Sequence, residues 1–431
     1  MSAAERPLPG AWGITALIFL FMLINFADKA VVGLAAKPMM QELGLTPEQF
    51  GLLGSAFYLL FPVSAVLVGF AANHATARRM LLVMAVLWSV VQFPMLGAAS
   101  FEILLASRIL LGVAEGPAYA VAMHAVYKWF PDPLRAVPTA IIAQGSAAGV
   151  IVAVPALNWI IVYHSWHWAF GALGVAGLVW AGLWLAFGRE GTLVDAPAVE
   201  GAADDGHVPY RRLLLCPSIL ATCCVGFAGY WGLALVLTWF ASYLVDGLGF
   251  SQTVGGDLSI LPWLVGALVV LLGGWISQAL KTRGVSSRLS RGLLPCLTMA
   301  IGGGLLLCLG LATQPGLKLA ILVVGATIGA TTTITIAPIV SELTPQSQRA
   351  AMLAIVISIS TLGSVSAPLV TGAVVQHAAT RLAGYDQGFM LLGVLLLAGG
   401  LAGALFIRPE ADRAALVRLA VRAQTVHGAH P

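Results

Sequence analysis

The chain is organised by apolar runs that are long enough to cross a lipid bilayer. Each run has at least 20 residues, most of them apolar, and about 20 residues is the length at which an α-helix spans the hydrocarbon core. The pattern therefore predicts an all-α integral membrane protein with twelve transmembrane helices. The predicted spans cover residues 12–36, 48–72, 80–99, 101–130, 135–163, 166–188, 213–246, 252–280, 292–312, 316–342, 349–378 and 385–408.

The composition supports a membrane protein and argues against a soluble enzyme. Of the 431 residues, 59% are hydrophobic and 9% are charged, whereas a soluble domain carries about 25% charged residues. Soluble-enzyme motifs such as a P-loop or zinc-spaced His and Cys are absent from the sequence, so no cofactor or metal is expected. The first apolar run is too long for a signal-peptide core, so it is expected to remain as the first helix.

The distribution of basic residues predicts how the chain is oriented. Seventeen of the 22 Lys and Arg residues fall on the side of the N-terminus, three fall on the other side, and two lie within spans. Cytoplasmic loops of membrane proteins carry an excess of Lys and Arg, so both termini are predicted to be cytoplasmic. The protein is expected to lie in the plasma membrane, which in a bacterium is the inner membrane. The same excess of basic residues accounts for the formal net charge of +4, so this positive charge does not indicate a nucleic-acid partner.

A polar stretch separates the spans into two sets of six. Residues 190–212 hold five acidic side chains among Gly, Ala and Pro, a composition that cannot bury a hydrophobic core. Many secondary transporters have two such halves with a site near the membrane midplane between them. The predicted boundaries are an N-terminal half at 1–189, a cytoplasmic linker at 190–212, a C-terminal half at 213–408 and a cytoplasmic tail at 409–431.

Four charged side chains lie deep inside the predicted spans and form the candidate site. Asp28 and Lys29 are neighbours in the first span, and Arg108 and Glu115 lie in the fourth. The seven residues from Arg108 to Glu115 turn a helix through about 700°, so both side chains leave one face roughly 10 Å apart along the axis. Ionisable groups in hydrocarbon are expensive and usually mark a path for ions or substrate.

These four residues receive different expected roles. Lys29 and Arg108 are expected to bind a substrate anion, while Asp28 and Glu115 carry or gate protons. Asp28 is expected to stay ionised and to bridge to Arg108. Glu115 is the first choice for the proton carrier, because the nearest cation on its own helix face is two turns away. The alternative is a fixed salt-bridge network that only locks the first span to the fourth.

Several neutral polar side chains are further candidates for substrate contact, and packing is the alternative for each. A mid-span Tyr or amide can bind a ligand, but it can equally hold helices together. The C-terminal half offers hydroxyl and aromatic groups where the N-terminal half offers charges. The candidates are Tyr58, Gln144, Tyr230, Trp231, Ser360 and Ser364.

Two short loops recur at corresponding places in the two halves. Gly69 is followed four residues later by Asn73 and then by Arg78 and Arg79, and Gly274 is followed four residues later by Gln278 and then by basic residues. The spacing resembles the signature loop of the major facilitator superfamily, in which an Asp stands where this chain has an amide. The resemblance implies a gating loop at Gly69, Asn73, Arg78 and Arg79 that lacks the usual ion pair.

Motifs in the first and fourth spans, and a stretch directly after the tenth, narrow the resemblance. Arg108, Gly112 and Gly116 are spaced four apart, as in the superfamily's fourth helix, where small residues let backbones approach closely. The stretches 25–29 and 343–349, together with Glu115, resemble the anion:cation symporter family, in which the residue after Asp28 is commonly Arg rather than Lys29. That family takes up organic anions, typically with protons.

The sequence thus predicts a proton symporter that imports an organic carboxylate by alternating access, and not an enzyme. Its expected partners are a small organic anion, protons and the lipid bilayer, and it is expected to be a monomer. One alternative is a proton-driven exporter of drug-like compounds, which is disfavoured because Gly145 and Gly149 are followed by Val150, not by the exporters' Pro. A second alternative is a membrane receptor that binds a ligand without moving it.

Overall fold

The computed structural model describes residues 6–71, 75–97, 100–193, 208–328 and 332–416, which are mainly helical and contain no β-strand. Eleven helices in this part of the chain are long and apolar enough to span a membrane. The predicted all-α membrane fold is therefore confirmed. The helices are α1 Ala11–Leu43, α2 Pro47–Phe70, α3 Ala77–Leu96, α4 Phe101–Tyr127, α5 Ala136–Tyr163, α6 Trp166–Phe187, α7 Pro217–Gly247, α8 Gln252–Thr282, α9 Arg288–Leu311, α11 Gln346–His377 and α12 Arg381–Phe406.

The tenth predicted span is described in two pieces. Pro315–Ile328 and Thr332–Leu343 lie on either side of residues that are outside the described set, and we label the two pieces together α10. The other predicted spans agree with the observed helices to within a few residues at most ends. A notable extension is α1, which continues past the predicted end at residue 36 to Leu43, where Gly44 caps it with a left-handed backbone (φ 63°).

Two helices are interrupted in their middle, close to the buried charges. In α2 the regular helix ends at Leu59 and restarts at Phe61, immediately before Pro62. In α4 it ends at Glu115 and restarts at Ala118, after Gly116 and Pro117. Proline lacks a backbone N–H and clashes with the preceding turn, which accounts for a break at each place.

Small residues let α4 approach the backbone of α2 at these breaks. A Cβ atom added to Gly112 would lie 1.9 Å from the Phe57 carbonyl oxygen, and one added to Gly116 would lie 2.4 Å from the Phe61 carbonyl oxygen. Carbon and oxygen atoms cannot come that close, so only glycine fits at either position. The spacing of Gly112 and Gly116 thus serves close packing of α4 on α2, as the sequence predicted.

The contacts along the chain divide it into two compact units, and the first contains the buried charges. This first unit comprises α1–α6 with residues 234–264 of α7 and α8 and residues 365–385 of α11 and α12. Its core includes the aromatic rings of Phe21, Trp88 and Trp180. In the same unit, Asn158 of α5 donates hydrogen bonds to the Thr253 carbonyl and to Asp257 of α8 at 2.9 and 3.0 Å.

The second unit contains the remaining described parts of α7–α12. Its helices also meet at a glycine, because a Cβ atom on Gly363 would lie 2.2 Å from the Phe227 carbonyl oxygen. A buried ion pair joins Lys318 of α10 to Asp386 of α12. The predicted division into six-helix halves at residues 189 and 213 remains a prediction.

Candidate functional site

The four buried charges of the sequence lie on two helices of the first unit, and all four are almost completely buried. The exposed fractions are 0% for Asp28, 7% for Lys29, 5% for Arg108 and 1% for Glu115. The break in α4 falls directly after Glu115. Two carboxylates and two cations sum to zero charge, which limits the cost of holding all four away from water.

An ion pair across α1 and α4 organises the cluster. Lys29 Nζ lies 2.5 Å from Glu115 Oε2, and it also donates to the Asn25 side-chain and backbone oxygens at 2.5 and 3.2 Å. The ammonium group lies 4.7 Å from the centre of the Phe26 ring. A Lys ammonium has three N–H groups, so these three acceptors use its hydrogen-bonding capacity.

Asp28 leaves the same helix toward α3 instead. Gln92 Nε2 donates to Asp28 Oδ1 at 2.8 Å, and Gln92 is itself 1% exposed. Asp28 Oδ2 has no hydrogen-bond partner among the described residues. The two carboxylates therefore have different partners, an ammonium group for Glu115 and a neutral amide for Asp28.

Arg108 is the cation of the cluster that lacks an ion-pair partner among the described residues. Its guanidinium carbon lies 4.8 Å from the centre of the Phe57 ring, a cation–π contact worth about 0.5–2 kcal/mol. Nε and Nη1 are buried and have no hydrogen-bond partner in the described part of the chain. A buried guanidinium with unused N–H groups is well suited to a carboxylate, which it can bind through two parallel hydrogen bonds.

These contacts correct one expectation about pairing and add a contact to another. Asp28 was expected to bridge to Arg108, but its hydrogen-bond partner is Gln92. For Glu115 the sequence indicated only the distance to the nearest cation on its own helix, and the structure adds a pairing with Lys29 from α1, the contact that the salt-bridge alternative requires. Counting residues along one helix gives distances on that helix alone, and the pairing depends on how α1 packs against α4.

Two neutral candidates of the first unit, Tyr58 and Gln144, differ in how deeply they are buried. Tyr58 is 7% exposed, and its ring stands edge-on to Phe57 with centroids 4.9 Å apart. Tyr58 therefore packs against Phe57, the ring that contacts Arg108. Gln144 of α5 is half-buried. Its role as a substrate ligand stays a prediction.

The two serine candidates in the second unit donate to backbone carbonyl groups, Ser360 on its own helix and Ser364 on α7. Ser360 donates to the Val356 carbonyl at 2.7 Å, and Ser364 donates to the Tyr230 carbonyl at 2.9 Å. Trp231 is 5% exposed, and its Nε1 has no hydrogen-bond partner among the described residues. Substrate contact by Tyr230, Trp231, Ser360 and Ser364 stays a prediction.

The predicted gating loop is described in part, because Asn73 lies outside the described residues. Gly69 is exposed at the end of α2, and Arg78 and Arg79 are exposed in the first turn of α3. The Arg78 guanidinium donates to the Leu185 carbonyl at the end of α6 at 3.0 Å. The role of these residues in gating stays a prediction.

Glu190, which the sequence assigned to the linker, belongs by its contacts to this end of the first unit. Its carboxylate accepts hydrogen bonds from the backbone N–H groups of Ala77 and Arg78 at 3.2 and 2.8 Å, and from Lys128 Nζ at 2.5 Å. Partial burial alone would raise the pKa of Glu190, but these hydrogen bonds outweigh it and hold the pKa below its ordinary value. A carboxylate at a helix N-terminus also interacts favourably with the helix dipole.

Sequence reasoning missed Gln92 and Asn25 as members of the cluster. The signal was present, since each is an amide inside an apolar run where polar groups are rare. Neither residue carries a charge, and the predicted cluster was limited to the charged residues within the spans. Glu190 gave no comparable signal, because it stands among other acidic residues in a polar stretch.

The fold and the buried charges define a multi-pass helical membrane protein with an ionisable cluster in its interior. Comparisons with known proteins identify its family. The Major Facilitator Superfamily profile matches residues 18–335. The chain belongs to the Major Facilitator Superfamily, a family of membrane transporters and not of enzymes.

Individual relatives agree with this assignment. The chain is 28% identical to the "Hexuronate transporter" of Bacillus subtilis (strain 168) over 91% of this chain and 94% of that protein. It is 26% identical to the "D-galactonate transporter" of Escherichia coli O6:H1 over 64% of this chain and 69% of that protein. The crystal structure of a D-xylose-proton symporter has the same fold, with a TM-score of 0.74 at 15% identity over 94% of this chain and 99% of that chain.

Proposed function

We propose that this transporter imports a sugar acid or a similar organic carboxylate together with protons, across a membrane in which both termini face the cytoplasm. The observation that carries the proposal is the buried Arg108 guanidinium, whose Nε and Nη1 have no partner among the described residues. A neutral substrate would give those N–H groups no charged partner, whereas a carboxylate matches them in charge and geometry. Relatives that carry hexuronate and D-galactonate support the same class of substrate.

In this proposal, Arg108 binds the substrate carboxylate beside the Phe57 ring. The guanidinium carbon lies 4.8 Å from the centre of that ring, and the unused N–H groups of Arg108 are available to a carboxylate. Tyr58 next to Phe57 offers a hydroxyl to the hydroxyl groups of a sugar acid. Hexuronate and D-galactonate both combine a carboxylate with several hydroxyl groups, so this combination fits that class of substrate.

Lys29 and Glu115 supply the coupling to protons. When Glu115 is ionised, Lys29 is held in the ion pair. A proton on Glu115 removes the charge that attracts Lys29, and the ammonium group becomes available to the negative charge of the substrate. Proton and anion thus favour each other's binding, which is the thermodynamic requirement for symport.

Uptake into proteoliposomes tests the proposal. Purified protein is reconstituted, and entry of labelled D-glucuronate, a hexuronate, is measured with and without an inward proton gradient. We expect accumulation that depends on the gradient, and its loss in Arg108→Gln. Arg283→Gln is the matched control, because it removes the same charge at an exposed position.

The same assay separates the alternatives. Binding of the anion without entry into the liposomes would indicate a receptor. Entry that is equal with and without the proton gradient would contradict symport. Unchanged uptake by correctly inserted Arg108→Gln protein would contradict the role of Arg108.

A further inference from the structure

The contact between α3 and the buried cluster is made by one neutral side chain, Gln92. Its Nε2 lies 2.8 Å from Asp28 Oδ1, and both residues are buried, with exposed fractions of 1% and 0%. Gln92 stands where regular α3 ends, just before Phe93 and Pro94. Burying an amide in an apolar interior is costly unless it is hydrogen-bonded, so the pairing with Asp28 accounts for a glutamine at this place.

A glutamine can pair with a carboxyl group in both of its proton states. Its NH₂ group donates to an ionised carboxylate, and after half a turn of the amide its carbonyl accepts from a protonated carboxyl. Donation to the carboxylate favours the ionised form. An apolar side chain at position 92 would pair with neither form.

The other groups that act on Asp28 are all members of the cluster. Lys29 lies on the same helix, and Arg108 and Glu115 lie on α4, while α3 contributes the Gln92 hydrogen bond. Tyr58 of α2 faces the same cluster through Arg108 and Glu115. The balance among these groups determines when Asp28 gains a proton, and Gln92 is the member that is in direct contact with it.

We propose that Gln92 is a positioning residue for Asp28, holding its carboxyl group in one place through the transport cycle and setting the pH at which it exchanges its proton. This inference rests on the proposed proton-coupled function for its physiological meaning. The geometry on which it stands, a buried amide bonded to a buried carboxylate, does not depend on the substrate.

The alternative is that Gln92 only fills space between α3 and α1. A packing role predicts a loss of stability on substitution that is independent of pH. A positioning role predicts a change in the titration of Asp28. The two are separated by a measurement of the protonation state itself.

The test is pH-difference infrared spectroscopy on the purified full-length protein. The C=O band of protonated Asp28 is identified as the band that is lost in Asp28→Asn, and its amplitude is followed with pH. Gln92→Met keeps the length of an unbranched side chain and removes both polar atoms. We expect the midpoint of the Asp28 band to move upward by about one pH unit or more, because a hydrogen bond to the ionised form is lost.

Two further variants keep the test decisive. Ser89→Ala is the matched control, because Ser89 is buried on the same helix and donates to the Ala85 carbonyl rather than to Asp28. We expect it to leave the midpoint unchanged. If Gln92→Met does not fold, Gln92→Asn serves in its place, since the shorter amide cannot reach Asp28 at hydrogen-bond distance and should give the same upward shift.

The outcomes distinguish this inference from the proposed function. An unmoved Asp28 midpoint in the folded Gln92 variant overturns the positioning role, whatever the protein transports. A moved midpoint together with an equal upward shift in the pH profile of D-glucuronate uptake supports both. A moved midpoint in a protein that carries no D-glucuronate supports the positioning role and counts against the proposed substrate.

Discussion

The two buried cations of the cluster differ in their partners, so their removal should affect the stability of the fold differently. Lys29 is paired with Glu115, so its loss strands a buried carboxylate. Arg108 has no ion-pair partner among the described residues and rests on an aromatic ring. Breaking a buried pair by removing one partner costs about 3–5 kcal/mol, whereas removing an unpaired buried charge relieves a desolvation cost.

Thermal unfolding in detergent at neutral pH should therefore separate the two residues. We expect Lys29→Gln to lower the unfolding temperature strongly, in line with a loss of about 3–5 kcal/mol. Arg108→Gln should leave it unchanged or raise it, although both variants lose transport. Equal destabilisation by the two substitutions would show that Arg108 has a structural partner and would contradict its assignment as the anion-binding group.

At the scale of the helices, the cluster depends on the close approach of α4 to α2. Gly112 and Gly116 lie against the carbonyl groups of Phe57 and Phe61, and these contacts place Glu115 and Arg108 beside the aromatic residues of α2. The breaks in both helices fall at the same level. A change of spacing between α2 and α4 would move the charges relative to the Phe57 ring.

We expect Gly112→Ala to reduce the free energy of unfolding by about 1–3 kcal/mol, the usual cost of overpacking a tight interior. Its Cβ atom would meet the Phe57 carbonyl oxygen at 1.9 Å. Gly182→Ala is the control, because a Cβ atom there meets nothing within 4 Å. Denaturant unfolding of both variants checks this, and a Gly112→Ala protein as stable as Gly182→Ala would contradict the packing argument.

The sequence was a better guide to the helices than to the contacts between them. The apolar runs predicted the spans because bilayer thickness fixes the length of each one. Residue spacing correctly placed Arg108 and Glu115 on one helix, but it could not show that Lys29 crosses to Glu115 or that Gln92 bonds to Asp28. Those contacts depend on the rotation and distance of neighbouring helices, and these are set by packing of many small residues.

For the molecule as a whole, Glu190 connects the end of α6 to the start of α3 and to the end of α4. It caps α3 through Ala77 and Arg78 and pairs with Lys128 after α4. Since its folded pKa lies below the ordinary value, its contribution to stability is present above the unfolded pKa. That contribution is lost as the pH falls through the folded pKa.

Glu190→Gln should therefore lower the unfolding temperature at neutral pH but not at a pH below the folded pKa, where the wild-type carboxyl is itself neutral. The difference between wild type and variant, measured by differential scanning fluorimetry across this pH range, is expected to shrink toward zero on acidification. A difference that stays constant with pH would contradict the ion-pair and capping role of Glu190.

The central claim is that one buried carboxylate on α4 must gain and lose a proton in each cycle while Arg108 holds the anion. Glu115→Gln tests it most directly, because glutamine mimics the protonated carboxyl and its carbonyl still accepts a hydrogen bond from Lys29. Net D-glucuronate uptake driven by a proton gradient and exchange of labelled for unlabelled D-glucuronate are measured on the same proteoliposomes. The account predicts that net uptake stops while exchange continues, since exchange needs no deprotonation. Gradient-driven uptake that survives in Glu115→Gln, or loss of exchange in a folded protein, would contradict it.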